Sequence, residues 1–221
     1  DVVEDILRIY GYNNVEIPAM LKSSLTVKGD EDLEHKMENV ISEQLVGEGF
    51  NEILNNSLSR VSYYEDDKLN AYPWAKTVKV MNPLSVDLGV MRQSILFGGL
   101  ESLARNINRK NSNLKFFEFG NTYCYDEPSR TEEAPIKAYK QFYHLGLWVT
   151  GNHVQGSWIH EDVKSSVYEL KAYVLNVLRR LGLSAGEIVE DKSDNNIFAH
   201  ALVLRTRNGK TLAEYGVLAY Q

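Results

Sequence analysis

The stretch VMRQSILFGGLESLARNINR, residues 90–109, decides how the rest of the chain is read. Leu96, Leu100, Leu103 and Ile107 fall on one stripe, which predicts an amphipathic helix over about 93–109. Arg92 and the adjacent Gly98 and Gly99 raise a second reading, because glycines at a helix entrance can cradle phosphate. A phosphate loop needs its glycines followed by Lys and Ser or Thr, so that backbone N–H groups and an ammonium meet the ligand. Neither residue follows here, and both glycines lie inside the apolar pattern rather than before it. Glycine inside a helix costs about 1 kcal/mol relative to alanine, so close packing or a bend is expected at this pair.

Working outward, LKFFEFGNTYCY (114–125) and FYHLGLWVTG (142–151) read as strands rich in β-branched and aromatic residues. The charged, proline-containing stretch 126–141 between them is expected to be an exposed, mobile loop. A helix over about 161–181 carries Val163, Val167, Leu170, Val174, Val177, Leu178 and Leu181 on one stripe, closed by Gly182. HALVLRTRNGKTLAEYGVLAY (200–220) reads as two strands around Asn208-Gly209, a type I′ hairpin signal. Upstream, NEILNNSLS (51–59) and TVKVMNP (77–83) read as strands, the second stopped by Pro83. A helix over 32–47 uses Leu33, Met37, Val40, Ile41 and Leu45, and another over 2–10 stops at Gly11, followed by an extended segment through Pro18. Helices interrupt hairpin-forming strands without regular alternation, which predicts an α+β fold: one antiparallel sheet with long helices packed against it.

Composition narrows the function. Hydrophobic residues make up 43% and charged residues 24% of 221 residues, enough for an ordinary buried core. A net charge of −6 argues against a DNA-coating surface but leaves room for a local RNA contact. No apolar run approaches the roughly 20 residues a membrane span needs. The single cysteine, Cys124, permits no intrachain disulfide and points to a reducing compartment. Residues 1–10 already read as the interior of a helix and the last ten as an unfinished strand, so the sequence is read as a piece of a longer chain.

Titratable residues give few spacings with chemistry in them. The five histidines show no zinc spacing, and Cys124 sits in an aromatic strand where a buried, inert thiol is expected. Asp1, Glu4 and Asp5 stand at i, i+3 and i+4, on one helix face. A hard cation such as Mg²⁺ takes oxygen ligands in this way; an acidic first turn complementing the helix dipole is the plainer reading.

Three stretches together resemble one family. DVVEDILRIYGYNNV (1–15) is similar to the segment closing the B5 module of the bacterial phenylalanyl-tRNA synthetase β subunit. MNPLSVDLGVMRQSILFGGLESLARNINR followed by LKFFEFGNTY resembles the synthetase-like core of that subunit, and HLGLWVTG with VYELKAYVLNVL follows in the same order. The resemblance covers essentially the whole chain and implies residues 1–18 as the end of a B5-like module and 19–221 as a class II synthetase-like core. It implies an (αβ)₂ enzyme of the cytoplasm that charges tRNA(Phe) with phenylalanine, with ATP bound and chemistry performed by the α subunit. The β core is then a non-catalytic copy that supports α. Arg92, in the MR pair, is expected to anchor the strand-to-helix junction, with Glu118 of FE-x-G as its candidate partner and Gly120 completing the signature. Active class II enzymes carry an arginine two residues before the glutamate of their second motif; on that reading Phe116 stands in its place and cannot stabilise phosphate charge.

The same resemblance matches Asp1, Glu4 and Asp5 to three of four Mg²⁺ positions shared with α, the fourth lying six residues upstream of Asp1. Binding by this chain alone is therefore expected to be weak or absent. RNA contact is expected to be limited to exposed basic residues such as Arg105, Arg109 and Lys110, for which a solvated helix end is the plain alternative. Two other readings remain at this point: a self-sufficient class II ATP-binding ligase domain, and a stand-alone RNA-binding domain.

Overall fold

The computed structural model describes residues 1–17, 19–20, 29–65 and 69–219. Pro18 and most of the polar stretch before the second helix lie outside the described residues. The chain divides into two compact units, Asp1–His35 and Lys36–Gln221. The first holds helix α1 (Val2–Tyr10), ended by Gly11 at φ 92, where Gly11 N–H returns to the Leu7 carbonyl. Glycine is favoured there because its lack of a Cβ removes the left-handed penalty.

The second unit is built on strands β1 (Asn51–Glu52), β4 (Leu114–Tyr125) and β5 (Tyr139–Thr150), in the order β1-β4-β5. β4 spans the residues read from sequence, and its burial explains why. Phe116, Glu118 and Gly120 point to one face and Phe117 and Phe119 to the other. On the second face Phe117 packs with Ile41 and Leu45 of helix α2 (Asp30–Gly47) and Val177 of helix α4 (Val167–Arg180). On the first, Phe116 and Trp148 pack with Ile95 and Leu103 beneath helix α3 (Leu96–Asn108). Burying each such side chain contributes about 1.5–3 kcal/mol.

A separate sheet follows, β8 (Ile188–Lys192), β9 (Phe198–Thr206) and β10 (Thr211–Leu218), in the order β10-β9-β8. α4 serves both sheets: Val177 joins the β4–β5 core while Leu178 packs with Leu204 and Tyr215. Two short pairs complete the described strands, β2 (Leu58–Ser59) with β3 (Val90–Met91), and β6 (Asn152–Val154) with β7 (Val163–Lys164).

The α+β class holds, but the single antiparallel sheet with long flanking helices does not. The strands form separate sheets, and β1 runs parallel to β4, pairing Asn51 with Phe116. α3 and α4 have 13 and 14 residues, ordinary lengths, because each starts later than its apolar period suggests. Val163 fits the helical stripe yet belongs to β7; Ser166 caps α4 by accepting from Glu169 N–H. Segment 51–59 is broken between β1 and β2, where Asn55 and Asn56 use their side chains locally and on Glu118. Segment 77–83 makes one isolated bridge, Lys79 with Val90, rather than a strand. The stretch 126–141 contains two short 3₁₀ turns and ends inside β5. The β9–β10 connection is not type I′, which needs two consecutive positive φ values. Only Gly209 is positive (φ 82), and Thr206 N–H donates to the Lys210 carbonyl, a three-residue loop with a glycine bulge.

Candidate functional site

The signature residues meet on the α3 side of the β4–β5 sheet. Arg92 follows β3 directly, and its backbone is pinned twice: its N–H donates to Ser57 O and its carbonyl accepts from Tyr123 N–H, both at 2.9 Å. Its side chain turns inward to 5% exposure, donating through Nη1 to Glu118 Oε1 at 2.7 Å and through Nε to the Asn121 carbonyl at 2.9 Å. Glu118 is fully buried and also accepts from Asn55, at 3.2 Å from the backbone N–H and 2.7 Å from Nδ2. Asn55 Oδ1 accepts from Ser102 of α3 at 2.8 Å, so the network ties β3, β4, the β1–β2 connection and α3 together. Charged groups are sealed inside a protein only when paired and hydrogen-bonded, and here both are.

The glycines make room for this arrangement. A Cβ on Gly120 would stand 2.2 Å from Arg92 Nη2, and one on Gly98 2.9 Å from the Asn55 side chain. On Gly99 it would lie 2.1 Å from the Trp148 ring. The close packing expected of the glycine pair is thus what lets α3 approach the sheet. Phe116 lies beneath α3 too, 6% exposed beside Trp148. Phe116 and Glu118 are both buried, and the glutamate is held by Arg92 and Asn55. The residue two places before it does not look onto a cleft.

A second cluster lies on the opposite face, where Lys115 points because strand side chains alternate. Glu169 Oε1, on a side chain 9% exposed, accepts from His153 Nδ1 at 2.8 Å and Tyr173 OH at 3.1 Å, and pairs with Lys115 Nζ at 3.1 Å. Burial works to raise the Glu169 pKa, but bonds from His153, Lys115 and Tyr173 outweigh it and hold the carboxyl below its usual value. Burial likewise works to lower the Lys115 pKa, and Tyr173 with Glu169 raises it instead. Neither this cluster nor the roles of Asn55 and Trp148 were expected from the sequence: all depend on which strands are neighbours.

The remaining site residues lie at the surface. Asp1, Glu4 and Asp5 are exposed on α1, and Glu4 Oε1 is already ion-paired with Arg8 at 2.8 Å. Among the described residues no group of three or more His, Cys, Asp or Glu is placed to hold a metal ion, so these carboxylates do not by themselves fit Mg²⁺. Arg105, Arg109 and Lys110 are exposed at the C-terminal end of α3, where cations suit the helix dipole. Lys110 has φ 66, the left-handed position usually taken by glycine, and its N–H donates to the Ile107 carbonyl at 2.8 Å. Among the described residues no helix is long and apolar enough to cross a membrane.

Comparison with known proteins decides the family. A model of the phenylalanyl tRNA synthetase beta chain CLM domain matches residues 17–218. The chain belongs to the phenylalanyl-tRNA synthetase β-chain family. It is 57% identical over 218 residues to the phenylalanine–tRNA ligase beta subunit of Bacteroides fragilis, covering 99% of this chain and 26% of that protein. The beta subunit of Bacteroides thetaiotaomicron is 58% identical over the same coverage, and that of Porphyromonas gingivalis 46% over 219 residues. The chain therefore spans about a quarter of the length of the curated β-chain relatives it matches. Its fold is also like that of a pyrrolysyl tRNA synthetase from Desulfitobacterium hafniense, with TM-score 0.53 and 14% identity, over 82% of this chain and 57% of that one. That likeness places the β-chain domain among synthetase folds.

Proposed function

We propose that this chain is the synthetase-like core of a phenylalanine–tRNA ligase β subunit, a non-catalytic scaffold for a catalytic α subunit in an (αβ)₂ assembly. That assembly charges tRNA(Phe) with phenylalanine at the expense of ATP, which α binds. The observation that supports the scaffold role is the closed packing around Glu118: it is wholly buried against Arg92, and Phe116 and Trp148 are each 6% exposed. A catalytic face needs preorganised donors aimed at developing phosphate charge, whereas the position two residues before Glu118 is a buried phenylalanine ring and Glu118 itself is neutralised by Arg92. A self-sufficient ligase requires the opposite arrangement.

Were Mg²⁺ bound in the assembly, Asp1, Glu4 and Asp5 would be this chain's contribution to it and further oxygen donors would have to come from outside this chain. Arg105, Arg109 and Lys110 are the residues proposed to meet tRNA phosphates. The complex works in the cytoplasm. The test is co-purification of this chain with an α subunit, with and without Mg²⁺. A stable complex is expected, and no association under either condition contradicts the scaffold reading.

A further inference from the structure

A cavity of about 340 Å³ lies between the β6–β7 pair and the first two turns of α4. Val163, Ala172 and Tyr173 give it apolar walls, and His153, Lys164 and Glu169 give it polar ones. The two oxygens of Glu169 are used unequally. Oε1 takes His153, Tyr173 and Lys115, whereas Oε2 is enclosed and meets no donor among the described residues. The side chain that carries it is only 9% exposed. A buried carboxylate oxygen without a partner is costly, and a group donating to it from the cavity removes that cost.

The neighbours define what can donate. Lys115 already neutralises Glu169, and Lys164 adds a second positive charge on the wall, so a cationic ligand gains no net attraction. An anion would set its own negative charge against Oε2. Among the described residues no group of three or more His, Cys, Asp or Glu gathers to hold a metal ion. A neutral N–H donor is left, and a carbonyl beside it can accept from the Lys164 ammonium. A primary carboxamide carries both groups, and the apolar walls suit a ring-sized hydrocarbon body behind it. We propose that this cavity is a binding site for a small neutral molecule, a primary carboxamide on an apolar, ring-sized body, whose N–H donates to Glu169 Oε2. The inference does not depend on the synthetase reading.

The probe is benzamide, titrated calorimetrically into the unsubstituted chain and followed in parallel by saturation-transfer NMR. One-site binding with a Kd of about 1 mM or tighter is expected for a ligand of this size. N,N-dimethylbenzamide keeps the ring and carbonyl but has no N–H, and benzoate offers only acceptors. Each should bind at least about tenfold more weakly, because Oε2 is then left without a donor. Ala172→Leu fills the cavity without altering the carboxylate and should weaken benzamide by at least about tenfold in a chain whose circular dichroism is unchanged. Equal binding of benzamide and its dimethyl form overturns the inference, whether or not the variant folds. So does binding that a folded Ala172→Leu leaves unchanged. Absence of saturable binding up to the solubility of benzamide, the result if water alone satisfies Oε2, overturns it as well.

Discussion

Removing either partner of the buried pair Arg92–Glu118 tests what the signature residues do. Glu118 receives three donors, from Arg92 Nη1 and both nitrogens of Asn55, and no water reaches it at 0% exposure. Stripping one partner from a buried ion pair costs about 3–5 kcal/mol, since the other charge is left uncompensated. Arg92→Met leaves Glu118 with Asn55 alone and also orphans the Asn121 carbonyl, so it should fall in the upper part of that range. Glu118→Gln keeps an acceptor oxygen and should cost less, about 3 kcal/mol. With a urea slope of about 2 kcal/mol per molar, that is a midpoint shift of about 1.5 M. The double variant Arg92→Met with Glu118→Leu replaces both charges with hydrocarbon and should lose at least about 2 kcal/mol less than the sum of its single variants. Urea denaturation followed by circular dichroism of the unsubstituted chain, Arg92→Met, Glu118→Leu and the double variant gives all four corners. Single-variant losses under about 1 kcal/mol, or strictly additive losses, would refute the claim that this pair holds β3, β4 and α3 together.

Other substitutions probe the parts around that pair. Gly99→Ala puts a methyl 2.1 Å from the Trp148 ring and should cost about 1–3 kcal/mol, with much of the loss recovered when Trp148→Phe is added; thermal melts compare the three. Lys110→Gly should stabilise the chain by about 1 kcal/mol in the same assay by relieving a left-handed lysine at φ 66. The depressed Glu169 carboxyl gives a pH dependence of definite sign. Its contribution is fully present above the ordinary value of 4.5 and is lost as pH falls through the lower folded value. Glu169→Gln should therefore flatten the acid limb of a stability–pH curve, and an unchanged limb counts against the cluster's importance.

The sequence exposed the parts of the fold whose signals are local. β4 was legible residue by residue because FFEF must be buried on both faces. Glu118 was only a candidate partner for Arg92 from the resemblance; the pairing became visible only in the fold, because it depends on which elements are neighbours. Ser166 is a capping residue, but Val163 continues the helical period across it, so periodicity alone placed the start of α4 too early. The parallel pairing of Asn51 with Phe116 leaves no trace in a two-residue strand. Asn208-Gly209 signals a turn but does not fix its length, which Thr206 and Lys210 set. The glycine pair was readable as a packing requirement, whereas its partner Trp148 lies 49 positions further along and became visible only in the fold.

Phenylalanine-dependent exchange of pyrophosphate into ATP addresses the central claim, that catalysis resides outside this chain. The assay is run on the chain alone, on an α subunit, and on the two together. No exchange above background is predicted for the chain alone, and the same result is predicted after Glu118→Gln in a background stable enough to remain folded. Phenylalanine-dependent exchange by the purified chain alone would contradict the account.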